Sequence, residues 1–262
     1  MTKRKIPAWA LSLFSLAFWV GAWWVAAALF AKPLLLPTPV AMAKALVALM
    51  GTSTFYLTLF TSLARILAGI LLALICGMLL ALLTVKSRFF HYLFSPVLTF
   101  FKATPVASII FLMMLWIGRA NVPLFIAFMM ALPIVWSNVR EGLLQTDVRL
   151  LEMANVFGVP KGRVLLKIRI PSLTPYLLAA TRSAISLSWK AGVAAEVLCT
   201  PERSIGRAIY EGKMYLLTDE LFAWTFIVVV ISMLVEWLAL FLLDRARNKK
   251  TRVQRAKTEV TA

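Results

Sequence analysis

Acidic residues are scarce in this chain. Eleven Asp and Glu stand against 28 Lys and Arg, and none occurs before Glu141. Charged residues of either sign make up only 15% of the 262 positions, where a soluble domain carries about 25%. There is one histidine, His91, and two cysteines, Cys76 and Cys199, both within or at the end of apolar runs. With no CxxC pair and no His cluster, neither a zinc site nor a disulfide framework is supported, and the cysteines read as small apolar packers. A membrane-embedded enzyme would need clustered histidine, cysteine or acidic side chains, so no catalytic constellation is expected. The nearest approach to a phosphate loop, Gly206 to Lys213, has five residues between its glycines. A phosphate loop needs four, and Met214 stands where Ser or Thr would hold magnesium. No cofactor is therefore expected on this chain. If ATP drives it, another subunit must bind the nucleotide.

What the chain has instead is apolar residues, 61% of the total, and a mean hydropathy of +0.87. That composition describes an integral membrane protein. The first apolar run, Ala8 to Ala31, is about twice as long as a signal-peptide core and reads as a retained span. Lys32-Pro33 and Pro37-Thr38-Pro39 break it, and Val40 to Met50 reads as a short amphipathic helix on the outer surface. Further spans are expected at about Tyr56–Val85, Phe94–Ile117 (interrupted by Lys102 and Pro105), Pro123–Val139, Tyr176–Leu198 and Phe222–Leu243. The expectation is an all-α membrane protein with six transmembrane helices. It divides into an N-terminal tail, first span and external linker (1–55), a transmembrane domain (56–244) and a basic tail (245–262).

The net charge of +17 would suit nucleic acid, but its distribution argues otherwise. With six spans, 18 basic residues fall in one set of compartments: Lys3 to Lys5, Lys86, Arg88, Arg140, the Arg149–Arg169 stretch and the tail. Only six, Lys32, Lys44, Arg119, Arg203, Arg207 and Lys213, fall in the other. That is the positive-inside pattern, and it places both termini in the cytoplasm of a multi-pass cell-membrane protein, with no nucleic-acid partner.

One polar stretch interrupts the membrane pattern: RLLEMANVFGVPKGRVLLKIRIP, Arg149 to Pro171. Locally it predicts two short helices and a hinge. Gly158 suits the left-handed residue that ends a helix, Pro160 suits the first turn of the next, and Pro171 is expected to end that second helix. The second helix places Val164, Leu165 and Ile168 on one face, with Lys161, Arg163, Lys167 and Arg169 around the others.

The stretch resembles the EAA loop of binding-protein-dependent ABC transporter permeases. In that signature Glu-Ala-Ala is followed after three residues by Gly and after nine more by Ile-x-Leu-Pro. Here Glu152, Met153, Ala154, Gly158, Ile168, Arg169, Ile170 and Pro171 occupy those places, with Met153 and Ile170 as apolar departures. An ordinary amphipathic loop is the plainer alternative. The resemblance extends to Ser62–Gly69, to the Pro105–Gly118 run and to Trp189–Glu196, which are similar to the nitrate/sulfonate/taurine branch. It implies the type I ABC importer permease fold with a cytoplasmic EAA coupling helix. It also implies a homodimer or paired permease, two cytoplasmic ATP-binding subunits docked on the loop, and an external solute-binding protein. By the same resemblance Glu152, Met153, Ala154, Gly158, Arg163, Ile168 and Pro171 belong to the ATPase-coupling element.

Ionisable residues at bilayer depth mark function by default. Arg65, Lys102, Arg182, Lys190, Glu196 and Glu236 qualify. Arg182 sits near a span end and can snorkel, and Lys102 precedes the Pro105 break. Arg65, Ser188, Lys190 and Glu196 are taken as candidate pathway residues, and the two cations hint at an anionic solute. Small residues recur every four positions at Gly69, Ala73, Gly77 and Ala81, and again at Ala180, Ala184, Ser188 and Gly192. Such stripes let helix backbones approach closely in lipid. A self-sufficient secondary transporter or channel is the alternative from another class. It would be expected to show internal repeats, and no repeat relates the two halves.

Overall fold

The structure is a computed structural model describing residues 8–30 and 32–259, so Lys3 to Lys5 lie outside it. Every regular element among the described residues is helical. In order they are α1 (Ala8–Phe30), α2 (Pro39–Met50), α3 (Ser53–Lys86), α4 (Arg88–Ala103), α5 (Val106–Ile117), α6 (Val122–Leu144), α7 (Val148–Val156), α8 (Lys161–Val164), a π-helical turn (Leu165–Arg169), α9 (Ile170–Cys199), α10 (Ile205–Met214) and α11 (Thr218–Glu259). Two threonines cap the two helices that follow α1. Thr38 caps α2 by accepting from the Ala41 N–H at 3.2 Å, and Thr52 caps α3 by accepting from the Phe55 N–H at 3.3 Å. Hydroxyl caps of this kind satisfy amide groups that a helix start leaves without partners.

The bundle is built on α3, α6 and α9. The small-residue stripe of α3 is buried throughout, at Gly69, Ala73, Gly77 and Ala81, and packs on α6. A side chain at Gly69 would collide with the Leu124 carbonyl, and one at Gly77 would lie 2.8 Å from the Val135 Cβ. The two backbones are therefore in direct contact, which glycine alone permits. The α9 stripe is likewise buried at Ala180, Ala184, Ser188 and Gly192, with Gly192 against Ile66 of α3. In hydrocarbon, packing of this closeness replaces the hydrophobic effect as the force between helices.

Buried polar links fix the neighbours. The Trp136 indole donates to the Thr84 hydroxyl at 3.0 Å, tying α6 to α3. The Trp189 indole donates to the Val228 carbonyl at 3.1 Å, tying α9 to α11. By contrast α1 touches the body at few points: its Trp23 stacks on Phe222 at 5.8 Å and donates to the Pro37 carbonyl at 3.1 Å. Most of its remaining large apolar side chains are exposed.

The structure bears on three expectations. The run Phe94–Ile117 is not one straight span. Thr104 is extended (ψ 133°) ahead of Pro105, and α4 and α5 meet there at 109°. A residue before proline is pushed out of the helical region, which is why the break falls there. Next, Pro171 does not end the second short helix. The chain passes through the π turn, in which the Ile170 N–H donates back five residues to the Leu165 carbonyl, and continues as α9 with Pro171 in its first turn. The wider turn sits where proline removes a donor. Lastly, four helices (α1, α3, α6 and the first 25 residues of α11) are long and apolar enough to cross a membrane, or five spans if the bent pair counts as one. α9 is not among them. At 30 residues it has the length, but Arg182, Lys190 and Glu196 with several Ser, Thr and Pro lower its apolarity.

Candidate functional site

The α7–α8 hairpin lies at the end of the bundle where α6 stops and α9 begins. Asp147 caps α7 by accepting from the Arg149 N–H at 2.8 Å. At its other end Gly158 has φ +61°. The Val159 N–H donates to the Ala154 carbonyl at 2.9 Å, and the Gly158 N–H to the Asn155 carbonyl at 3.0 Å. This pair of bonds is a Schellman closure, and it needs a left-handed residue at the glycine position. Open space surrounds Gly158, so the requirement is conformational and not steric.

Of the residues expected to couple, Ala154 is buried and holds α7 to the fold. Glu152 and Arg163 are exposed, Ile168 is half-buried in the π turn, and Pro171 is exposed at the start of α9. Met153 is 50% exposed, and next to it Val156 and Phe157 reach 83% and 77%. Between α7 and the α8–π segment lies a groove of about 410 Å³. Apolar Leu151, Val159, Val164 and Leu165 line it, with Lys161 and Arg169. The hairpin thus presents apolar side chains within a basic surround.

The ionisable residues of the helices fall into two sets. Glu196 on α9 is fully buried. Its Oε1 accepts from the Arg65 guanidinium at 2.9 Å, and its Oε2 accepts from the Ser62 hydroxyl at 2.8 Å and the Gly206 N–H at 3.2 Å. Arg182 pairs with Glu236 of α11 at 2.6 Å, so the arginine has a carboxylate as well as a route to the surface. Lys102 and Lys190, in contrast, are exposed, and neither has an ion pair among the described residues. Lys190 belongs to a stripe of exposed α9 residues (Ala179, Ser183, Leu187, Lys190, Ala194, Leu198) that faces away from α3, α6 and α11. Of the four candidate pathway residues, the structure joins Arg65 to Glu196 and leaves Lys190 on the open face. Ser188 and Glu196 are sealed in the helix packing and offer no surface in this arrangement.

Two members of the Glu196 cluster escaped the sequence reading. Ser62 is one turn before Arg65 and points the same way, a relation visible as i, i+3 spacing once Arg65 is singled out. Gly206 stood out only as part of a failed phosphate loop. Its function is steric: a Cβ there would overlap Glu196 and the Val197 N–H.

The profile of binding-protein-dependent transport system inner membrane components matches residues 69–253, which take in α3 from Gly69 onward, α6, the hairpin and α9, and of the Glu196 cluster Glu196 and Gly206 but not Ser62 or Arg65. The chain belongs to that family. It is an ABC transporter permease, a membrane transport component and not an enzyme. The taurine transport system permease TauC of Escherichia coli is 26% identical over 234 residues, covering 86% of this chain and 84% of its own length. An ABC transporter permease of Brucella melitensis is 24% identical over 212 residues, 80% of this chain and 85% of that one. The bicarbonate transport permease CmpB of Synechococcus elongatus is 26% identical over 181 residues, 62% of this chain and 65% of its own. Membership explains the all-helical fold with its apolar spans. It also implies an ATPase and a solute-binding protein as partners of this permease.

Proposed function

We propose that this permease forms the translocation pathway of an ATP-driven importer for a small anion, an organic sulfonate or an inorganic oxyanion. In this reading α9 is the fifth of six crossings, its exposed stripe faces the pathway, and the permease works as a homodimer or beside a similar subunit. Both termini and the α7–α8 hairpin are cytoplasmic. Two ATP-binding subunits dock on the hairpin through Glu152, Met153 and the apolar residues beside them, and they alone bind ATP. An external binding protein delivers the solute at the opposite end.

The observation that carries the choice of an anion is the sorting of charges. Arg65 and Arg182 each have a carboxylate, while Lys190 and Lys102 have none. An uncompensated ammonium on a membrane helix is costly in lipid and belongs against water or a counter-ion. α9 is also the one long helix of the core that fails as an apolar span. The names of the taurine and bicarbonate relatives agree with an anionic or sulfonate group as the ligand.

The test is uptake by proteoliposomes containing the permease, its ATPase and its binding protein. Lys190→Ala is expected to reduce uptake of a sulfonate or oxyanion while the complex still assembles. Wild-type uptake by that variant refutes the assignment of Lys190. Uptake by the permease alone, driven by an ion gradient, refutes the importer reading and favours a self-sufficient transporter.

A further inference from the structure

The Glu196 cluster has more structure than an ion pair requires. α10 begins at Ile205, and its first amides are the ones a helix start leaves without partners. The Ile205 N–H donates to the Ser62 hydroxyl of α3 at 2.8 Å, and the Gly206 N–H donates to Glu196 of α9 at 3.2 Å. The Arg207 N–H takes the local cap, Ser204 Oγ, at 3.1 Å. Side chains of two membrane helices therefore cap a third helix that is not itself a span. The carboxylate stands at the positive end of the α10 dipole, and Arg65 supplies the second compensating charge.

Three further features hold the arrangement. Gly206 lets α10 lie directly on the Glu196 backbone. The Thr200 N–H bonds to the Glu196 carbonyl at 2.8 Å, with Thr200 at φ +46°. Arg203 follows at φ +51°. Two non-glycine residues in left-handed conformation within four positions are costly unless their surroundings over-determine them. The same loop and α10 wall a cavity of about 380 Å³ together with Thr54 and Thr58 of α3 and its cap residue Thr52.

We propose that Glu196 is a positioning residue that keys α10, and the loop ahead of it, to α3 and α9, so that the outer end of the pathway moves as one unit with the pathway helix. With both oxygens engaged, Glu196 is not a solute ligand. It fixes where the outer loop stands when α9 moves, and it carries the force of binding-protein contact on that loop to the helix beside the solute. This rests on the reading of α9 as a pathway helix.

The test uses the complete transporter in liposomes, with spin labels at position 198 of α9 and position 213 of α10, both exposed. Their separation is measured at rest and in the vanadate-trapped state. In the otherwise native protein it is expected to stay within about 2 Å, since packed elements shift as bodies. In Glu196→Ala it should broaden and differ between states. The ratio of ATPase rate with solute-loaded binding protein to the rate without it should fall about tenfold, a typical size for a lost coupling. A merely structural defect would lower both rates together and leave the ratio. Should Glu196→Ala fail to reach the membrane, Ser62→Ala, which leaves the Arg65–Glu196 pair in place, carries the same expectations. A separation that changes between states in the native sequence overturns the proposal. So does a folded variant that keeps both the fixed separation and the native ratio. If Lys190→Ala is silent while the 198–213 separation behaves as expected, the pathway assignment fails and the keying stands.

Discussion

Gly158 and Gly162 sit four residues apart in the same hairpin, and they make opposite predictions. Neither has an atom within 4 Å of where a Cβ would stand. Steric arguments therefore treat them alike. Gly158, however, has φ +61°, and its N–H and that of Val159 close α7 onto the Asn155 and Ala154 carbonyls. An L-residue with a Cβ costs about 1–2 kcal/mol in that conformation. Gly162 lies in the helical turn of α8, where alanine is favoured over glycine by about 1 kcal/mol. If only the closed hairpin couples, Gly158→Ala should lower the ratio of closed to open hairpin by a factor of about 5 to 30. Uptake per transporter and co-purification of the ATPase should fall, by at most that factor, while the membrane level of the protein is unaffected, because the spans do not touch Gly158. Gly158→Asn should retain more activity, since asparagine tolerates left-handed backbone. Gly162→Ala should behave as wild type or slightly better. The assay is ATP-dependent uptake at matched membrane levels, with ATPase recovery on an affinity tag in parallel. Equal activity of Gly158→Ala and Gly162→Ala would refute the argument that the hairpin angle depends on a left-handed residue.

Gly77→Val should lower the Tm of the purified protein in detergent, because its branched side chain meets Val135 at 2.8 Å and overpacking costs about 1–3 kcal/mol. Gly21→Ala on the exposed α1, with open space around it, should not lower it. In intact cells an impermeant thiol reagent should label a cysteine placed at position 213 and spare one at position 161. Labelling of 161 from outside would reverse the orientation.

Much of the chain could be read before its coordinates were known. The small-residue stripes at Gly69–Ala81 and Ala180–Gly192 are buried in the bundle, because four-residue spacing is a geometric property of the helix itself. Gly158 is left-handed for the same local reason. What escaped was set by contacts distant in sequence. Glu196 reaches Arg65 and Ser62 across more than 130 positions, and nothing in local spacing pairs them or explains Gly206. The bend of 109° after Thr104 was visible as Pro105 but not in size. Pro171 misled because a π turn absorbs the donor it lacks, a solution local rules do not anticipate. On α9, Glu196 is sealed by α3 and α10 while Lys190 is exposed, a division that depends on which neighbours each side chain meets and that no local pattern shows.

The central claim is that the α7–α8 hairpin joins this permease to its ATPase. Met153 is half-exposed on α7, beside Val156 and Phe157, and a cysteine there tests the claim most directly. In the assembled transporter Met153→Cys should form a cross-link to a cysteine on the ATPase through a short bifunctional reagent, and uptake should stop when the link forms and return when it is cleaved. A cysteine at position 213, at the opposite end of the bundle, should form none. Absence of a link at 153 in a complex that contains the ATPase and still transports would contradict the account.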